Sequence, residues 1–225
     1  MSHQDGCFPN EAEVYREARE QLLQAEIDLR SQIEKVAAAR RALPVGGKVK
    51  EDYVFEAMNE AGEVESVQLS ELFEPGHDSL VVYSFMYGPE MDGACPMCTS
   101  FIDGLDSSAP DFSQRVSFAV VARNPIDRFV NYGRQRGWQN VRLLSSSGNS
   151  YNSDYWGEDE QGHQRSMMNV FVRKNDGVYH SWGSELAYAD VGGQPRHVDL
   201  LWPVWNMFDL TPEGRGTDWY PKPSY

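Results

Sequence analysis

Asp78-Ser-Leu-Val-Val-Tyr-Ser-Phe-Met-Tyr87, then a turn over Gly88 to Ala94, then Cys95-Pro-Met-Cys98: the reading of this stretch decides the fold. The first ten residues are apolar enough for a buried strand, and the residues after Ala94 read as a helix with Pro96 in its first turn. Proline suits that place, because the first turn has no partner for the missing N–H and the fixed φ is already helical. The two thiols then stand at a helix N-terminus, where free amides and the macrodipole favour an anion. Cys95 is therefore expected to ionise more readily than a free cysteine, which is the condition for dithiol-disulfide exchange.

Two plainer readings compete. A C-x-x-C can be half of a zinc site, or two thiols packed as small hydrophobes. A structural zinc site needs a second Cys or His pair at short spacing. The one further cysteine, Cys7, lies in a polar N-terminal segment, and His3, His77, His163, His180 and His197 are scattered singly. The expectation is a redox dithiol with neither metal nor cofactor. His163 and His180 are the histidines placed best to approach the thiols. Glu90, Asp92 and Asp103 flank the motif and oppose thiolate formation unless they point away.

Working outward, Glu11 to about Arg41 contains no Pro or Gly and is rich in Ala, Leu, Glu, Gln and Arg, which predicts a long helix,. Val14, Ala18, Leu22, Ala25, Leu29, Ile33 and Val36 form one narrow apolar stripe,. At roughly 45 Å the helix outruns a small domain, so the stripe is read as a seam with a second copy, giving a homodimer. Tyr53-Val-Phe and Ser66-Val-Gln-Leu predict a hairpin, and Ser70 to Phe73 a helical turn. The helix at Cys98 runs to Leu105, a strand covers Val116 to Ala122, and Asn124-Pro125 are the N-cap and first residue of a helix from Ile126 to Arg136 that stops at Gly137. Val141 to Leu144 reads as a short strand, and Ser145 to Gly162 as a loop. Met168 to Arg173 and Val178 to Trp182, joined through Asn175-Asp-Gly177, predict a second hairpin. Val198 to Phe208 reads as a last helix.

Strand, helix, strand, helix, then an antiparallel pair, describes an α/β protein with a mixed central sheet and helices on both faces. The division is an N-terminal helical extension (1–48), a central domain (49–210) and a C-terminal tail (211–225). With 20 basic and 34 acidic residues among 225, a net charge of −14 argues against nucleic acid or an anionic membrane as partner,. No apolar run approaches the ~20 residues that span a bilayer, and Met1 to Asn10 is too polar for a signal peptide. A cytoplasmic protein with a resting dithiol is expected.

The order of elements resembles the thioredoxin fold with an N-terminal extension. Arg40-Arg-Ala-Leu-Pro44, Leu80 to Pro89, Gly93 to Cys98, Phe118 to Pro125, Gly137-Trp138 and Phe208 to Arg215 are similar to an uncharacterised bacterial thioredoxin-like family described as predicted dithiol-disulfide oxidoreductases or isomerases. The resemblance implies that Cys95 is the exposed nucleophile and Cys98 the buried resolving thiol, with Pro96, Met97 and Met168 in support. It implies a disulfide-containing protein or small molecule as substrate and an external thiol as reductant. Such oxidoreductases place a cis-proline before the strand facing the dithiol. Here the matching stretch, Ser166-Met-Met-Asn-Val-Phe, has none.

A missing proline there is shared with peroxiredoxins, so a thiol peroxidase is the alternative. Its Pro-x-x-x-Thr/Ser-x-x-Cys run is absent, since counting back gives Cys95 and Met91 from Cys98, and Asp92 and Gly88 from Cys95. A third reading is a non-catalytic binding protein, with Tyr151, Tyr155, Trp156, Trp182, Trp202, Trp205, Trp219 and Tyr220 as candidates to line a ligand cleft.

Overall fold

The computed structural model describes residues 6–190, 196, 199–216 and 218–223. His3, His197, Val198 and the last two residues of the tail lie outside that set. The chain divides into two compact units, 1–44 and 45–225.

The first unit is built on α1, Glu13–Arg41, 29 residues long. It starts two residues later than the composition suggests. Glu11 folds back to accept the Phe8 N–H at 3.0 Å and the Arg16 guanidinium at 2.9 Å, outside the helix proper. No residue of α1 is buried, and Val14, Leu22, Leu29, Ile33 and Val36 of the apolar stripe stay exposed. Among the described residues, no helix is long and apolar enough to cross a membrane.

The second unit is a thioredoxin-like α/β fold. Its strands are β1 (Val54–Met58), β2 (Val64–Gln68), β3 (Ser79–Ser84), β4 (Ser117–Ala122), β5 (Arg142–Ser145), β6 (Met167–Lys174) and β7 (Gly177–Gly183). They form one sheet in the order β2-β1-β5-β4-β3-β6-β7. β3, β4 and β5 are parallel, whereas β6 pairs antiparallel with β3, β7 antiparallel with β6, and the β1-β2 hairpin closes the far edge. The helices are α2 (Pro96–Phe112), α3 (Ile126–Arg136), the single turn α4 (Tyr151–Asp154) and α5 (Pro203–Asp209).

Alternation along the central strands separates two cores. Leu80, Val82, Ala119 and Val121 face one side with Phe55, Leu69, Leu72, Tyr151 and Phe171, under the 3-10 turn Leu69–Leu72 and α4. Tyr83, Val120 and Ala122 face the other, with Phe101, Phe129, Trp138, Trp202 and Trp205 from the α2, α3 and α5 side. Both crossovers, through α2 and through α3, step the same way along the sheet. Right-handed connections therefore put both helices on one face, and the dithiol is on that face.

Several other boundaries differ from the sequence reading: β3 stops at Ser84, the turn α4 interrupts the expected loop, and tertiary contacts account for two more. α2 runs past Leu105 to Phe112 despite Pro110. A proline there cannot bond the carbonyl four residues back. That carbonyl, on Asp106, instead accepts the Asn140 side chain at 3.1 Å. The buried Asp106 carboxylate takes the backbone amides of Gln139, Asn140 and Val141 at 3.0, 2.8 and 3.1 Å, docking the start of β5 on α2. The cap of α3 is Pro125 and not Asn124. The Asn124 side chain is spent on the Gly88 carbonyl at 3.0 Å, pinning the turn before the dithiol. α5 begins at Pro203 as its first residue instead of carrying that proline inside. At the end of α3, Gly137 has φ 81°, a left-handed C-cap that suits glycine,.

Candidate active site

The strand β3 ends at Ser84, and the chain then loops over Phe85 to Ala94 before α2. The loop is held rather than free. Arg128 donates to the Pro89 and Met91 carbonyls at 3.0 and 2.7 Å and lies 4.9 Å over the Tyr87 ring. The Cys95 N–H donates to the Met86 carbonyl at 3.0 Å, tying the motif to the strand end. Cys95 is the N-cap of α2 and Pro96 its first residue, so the expected placement of the thiols holds. Thr99 closes the first turn, its amide and hydroxyl both donating to the Cys95 carbonyl, at 3.0 and 2.9 Å.

Cys95, Cys98 and Cys7 are free thiols. The ionisation of the two motif thiols is linked and shifted in opposite directions. The Cys98 thiol donates to Cys95, and this is the main reason that Cys95 is held down to about 5. Burial works against the anion. The Tyr220 hydroxyl and the first-turn amides of Cys98 and Met97 favour it, although no full capping hydrogen bond forms. Cys98 is pushed well up, first by giving its proton to that bond and then by burial. The buried Tyr83 hydroxyl sits beside Cys98; it has no well-formed hydrogen bond and only partly offsets the push.

The acidic neighbours do not reverse this. Glu90 and Asp92 are exposed, while Asp103 is occupied by Arg136 and by Trp138 Nε1, the latter at 2.8 Å.

One implied property is corrected. Cys95 is not an exposed nucleophile but only 9% accessible. It is reached through a cleft of about 260 Å³, formed by Tyr83, Met86, Cys95, Met97, Cys98, Gln164, Arg165, Ser166, Tyr188 and Tyr220. Tyr220 accounts for part of the cover, with its hydroxyl 3.4 Å from Cys95 Sγ. An aromatic staple delivers it: Trp219 packs on Phe208, Trp205 and Trp202 with ring centroids 4.8, 5.6 and 6.0 Å apart. Trp202, Trp205 and Trp219 therefore anchor the C-terminal segment and do not line the cleft.

Of the residues singled out in the sequence, Cys95, Cys98, Met97 and Tyr220 meet at the cleft. Met168 is buried in the core cluster behind it, its amide bonded to Ser184 Oγ at 2.9 Å. Neither histidine comes to the thiols. His180 Nε2 pairs with Asn169 Oδ1 at 2.9 Å in a second cleft with Tyr155 and Trp156, and His163 pairs with Asp159. Tyr151 is in the core of the opposite face. Among the described residues, no group of three or more His, Cys, Asp or Glu side chains could hold a metal. Gln164, Arg165 and Tyr188 were not picked out in the sequence. No local spacing marks them: the loop before β6 brings Gln164 and Arg165 to the cleft, and the 3-10 turn Glu185–Tyr188 after β7 brings Tyr188.

Tyr220→Phe tests the hydroxyl's part in the thiolate. Removing a half-exposed hydrogen bond to an anion is expected to raise the Cys95 titration by ~0.5–1 unit. Ultraviolet absorbance of the thiolate across a pH series reads this, and an unchanged midpoint would remove Tyr220 from the account.

A dithiol capping a helix on a thioredoxin-like sheet defines the class: a thioredoxin-fold protein with a C-x-x-C site. Within it, the chain belongs to the family described as "Bacterial protein of unknown function (DUF899)", whose profile matches residues 7–225. No curated protein matches the chain. Among solved structures it is similar to the mitochondrial 2-Cys peroxiredoxin of Plasmodium falciparum, at 15% identity and a TM-score of 0.46 over 61% of this chain and 80% of that one. Peroxidoxin BcpB of Mycobacterium tuberculosis aligns at 20% identity and 0.40, over 62% and 86%. The exposed lipoprotein thioredoxin Etrx1 of Streptococcus pneumoniae aligns at 13% and 0.39, over 56% and 84%.

Proposed function

We propose that the chain is a thiol-disulfide oxidoreductase in which Cys95 attacks and Cys98 resolves. The observation that carries this reading is the placement of two free thiols at the head of α2, Cys95 as its N-cap and the more deeply buried Cys98 in its first turn, both lining one cleft; in keeping with it, the Cys95 thiol is held down and that of Cys98 pushed up. Only a thiolate attacks a disulfide, and a resolving thiol must keep its proton until its turn comes.

The Cys95 thiolate attacks one sulfur of R–S–S–R, forming a Cys95–S–S–R mixed disulfide and releasing RS⁻. Cys98 then gives up its proton to a departing thiolate and attacks the Cys95 sulfur. The Cys95–Cys98 bond forms and the second RS⁻ leaves. The substrate has gained two electrons and the dithiol has lost two. An external thiol returns the pair to its reduced form, in keeping with a cytoplasmic setting. Pro96 sets the helix start, Met97 walls the cleft and Met168 packs behind the dithiol. A second copy of the chain, met through α1, completes the proposed partners.

The test uses the reduced Cys7→Ser protein, exposed to a small disulfide and, separately, to hydrogen peroxide. Intact mass should fall by two hydrogens with the disulfide, and the couple should poise near cytosolic dithiols, at about −270 mV. Failure to form the Cys95–Cys98 bond at any potential ends the proposal. Oxidation by peroxide orders of magnitude faster than by disulfides would make the chain a thiol peroxidase instead.

A further inference from the structure

Among the described residues, one cation lines the cleft at Cys95, Arg165. Its guanidinium lies 4.4 Å over the Tyr188 ring and makes no side-chain hydrogen bond or ion pair among the described residues. The ring itself is fixed, because the Tyr188 hydroxyl donates to the Ser166 carbonyl at 2.6 Å. The Arg165 backbone is fixed as well, its N–H donating to the Gly157 carbonyl at 2.8 Å. Of the acidic residues on the adjoining surface, Glu158 is held by Arg123 and Asp159 by His163, and the exposed Glu160 makes no hydrogen bond or ion pair with Arg165 among the described residues. Nor is Arg165 what holds Cys95 ionised, since that is the work of Cys98, Tyr220 and the first-turn amides. In a chain of net charge −14, a guanidinium oriented on a tyrosine ring and without a carboxylate lines the same cleft as the nucleophile.

A second observation points the same way. Tyr83 lines the cleft, and its buried hydroxyl, with the Cys98 sulfur beside it, has no well-formed hydrogen bond. Buried polar groups are rarely left unpaired unless something else is to meet them. The rest of the wall is largely apolar, made by Met86, Met97 and the Tyr220 ring, with Gln164 and Ser166 as its polar part. At about 260 Å³, and with Cys95 only 9% accessible, the space suits a small molecule better than a disulfide on a folded surface,.

We infer that the substrate is a small disulfide bearing a carboxylate, and that Arg165 is the residue that selects it. This rests on the proposed dithiol exchange and narrows its substrate class. The carboxylate is received in the planar, two-donor geometry that arginine offers, while the sulfur-sulfur bond lies over Cys95. Electrons and atoms move as in the exchange above, the disulfide leaving as two thiols.

The test compares two probes on the reduced full-length chain, 3,3′-dithiodipropionate, which carries two carboxylates, and bis(2-hydroxyethyl) disulfide, which is neutral. Rates of Cys95–Cys98 oxidation, each divided by the probe's rate with a free small thiol, give a selectivity ratio. The ratio is expected to be about 10 or more in favour of the dianion, close to 1 in Arg165→Gln, and partly restored in Arg165→Lys. A ratio near 1 in the wild-type chain, or one that Arg165→Gln leaves unchanged, overturns the inference while leaving dithiol exchange standing. If neither probe oxidises the wild-type pair, the exchange itself falls.

Discussion

Cys95→Ser is expected to abolish the proposed disulfide reduction, by at least about three orders of magnitude, because a hydroxyl is not ionised at neutral pH and is a weak nucleophile without an adjacent base. Cys98→Ser behaves differently. It reacts once and stops as a mixed disulfide at Cys95, which appears in intact mass as the added half of the probe. The two variants together separate attacking from resolving sulfur. The pH dependence follows from the sign of the shift. Cys95 is an acid whose value is depressed, so its anion persists to lower pH: alkylation by iodoacetamide should rise through pH about 5 and stay flat through neutrality. A free cysteine rises only near ~8.5. Cys98→Ala removes the largest support of the anion, so its midpoint should move up. A wild-type profile that rises only above pH 8 would withdraw the thiolate, and with it the proposed chemistry.

Phe101→Ala should be the most destabilising single change near the site, at about 3–5 kcal/mol. Phe101 is 1% exposed and stands one turn beyond Cys98 on α2, its ring 5.0 Å from Tyr83 at an angle of 60°. Truncation leaves a hole between the helix that carries the dithiol and the strand that supports it. For a chain of this size, each kcal/mol moves Tm by about 2–4 °C, so a loss on the order of 10 °C is expected. Urea midpoints at constant slope measure it. Phe101→Leu, which leaves a smaller hole, should cost clearly less. A loss below ~1 kcal/mol for the alanine variant would mean that α2 is held chiefly by the Asp106 bonds to Gln139, Asn140 and Val141 and not by this packing.

Much of the fold was legible because its signals are short-range. The apolar run at Leu80 to Tyr83, Pro96 after Cys95, Gly137 after Arg136 and Asn175-Asp-Gly177 each act within one turn of chain. Each predicted its element within a few residues. Two misplaced boundaries share a different cause. Asn124 has the chemistry of a cap, but a carbonyl 36 residues earlier, that of Gly88, takes its side chain. Pro110 has the chemistry of a helix end, but the Asn140 side chain, from outside the helix, donates to the Asp106 carbonyl that the proline leaves free.

The same division runs through the site. By itself the sequence determined a helix capped by two thiols on a parallel sheet, and hence that Cys95 would be the sulfur favoured as an anion. Those facts depend on peptide geometry and on neighbours two or three residues away. Only the tertiary structure decided that Cys95 would lie in a cleft rather than in the open, that His163 and His180 would stay clear of it, and that Tyr220 and Arg165 would stand beside it. Tyr220 is 125 residues from Cys95 and arrives on an aromatic staple. Arg165 comes with the loop that leads into β6. Contacts at that range are made by packing across the sheet, and no spacing along the chain encodes them.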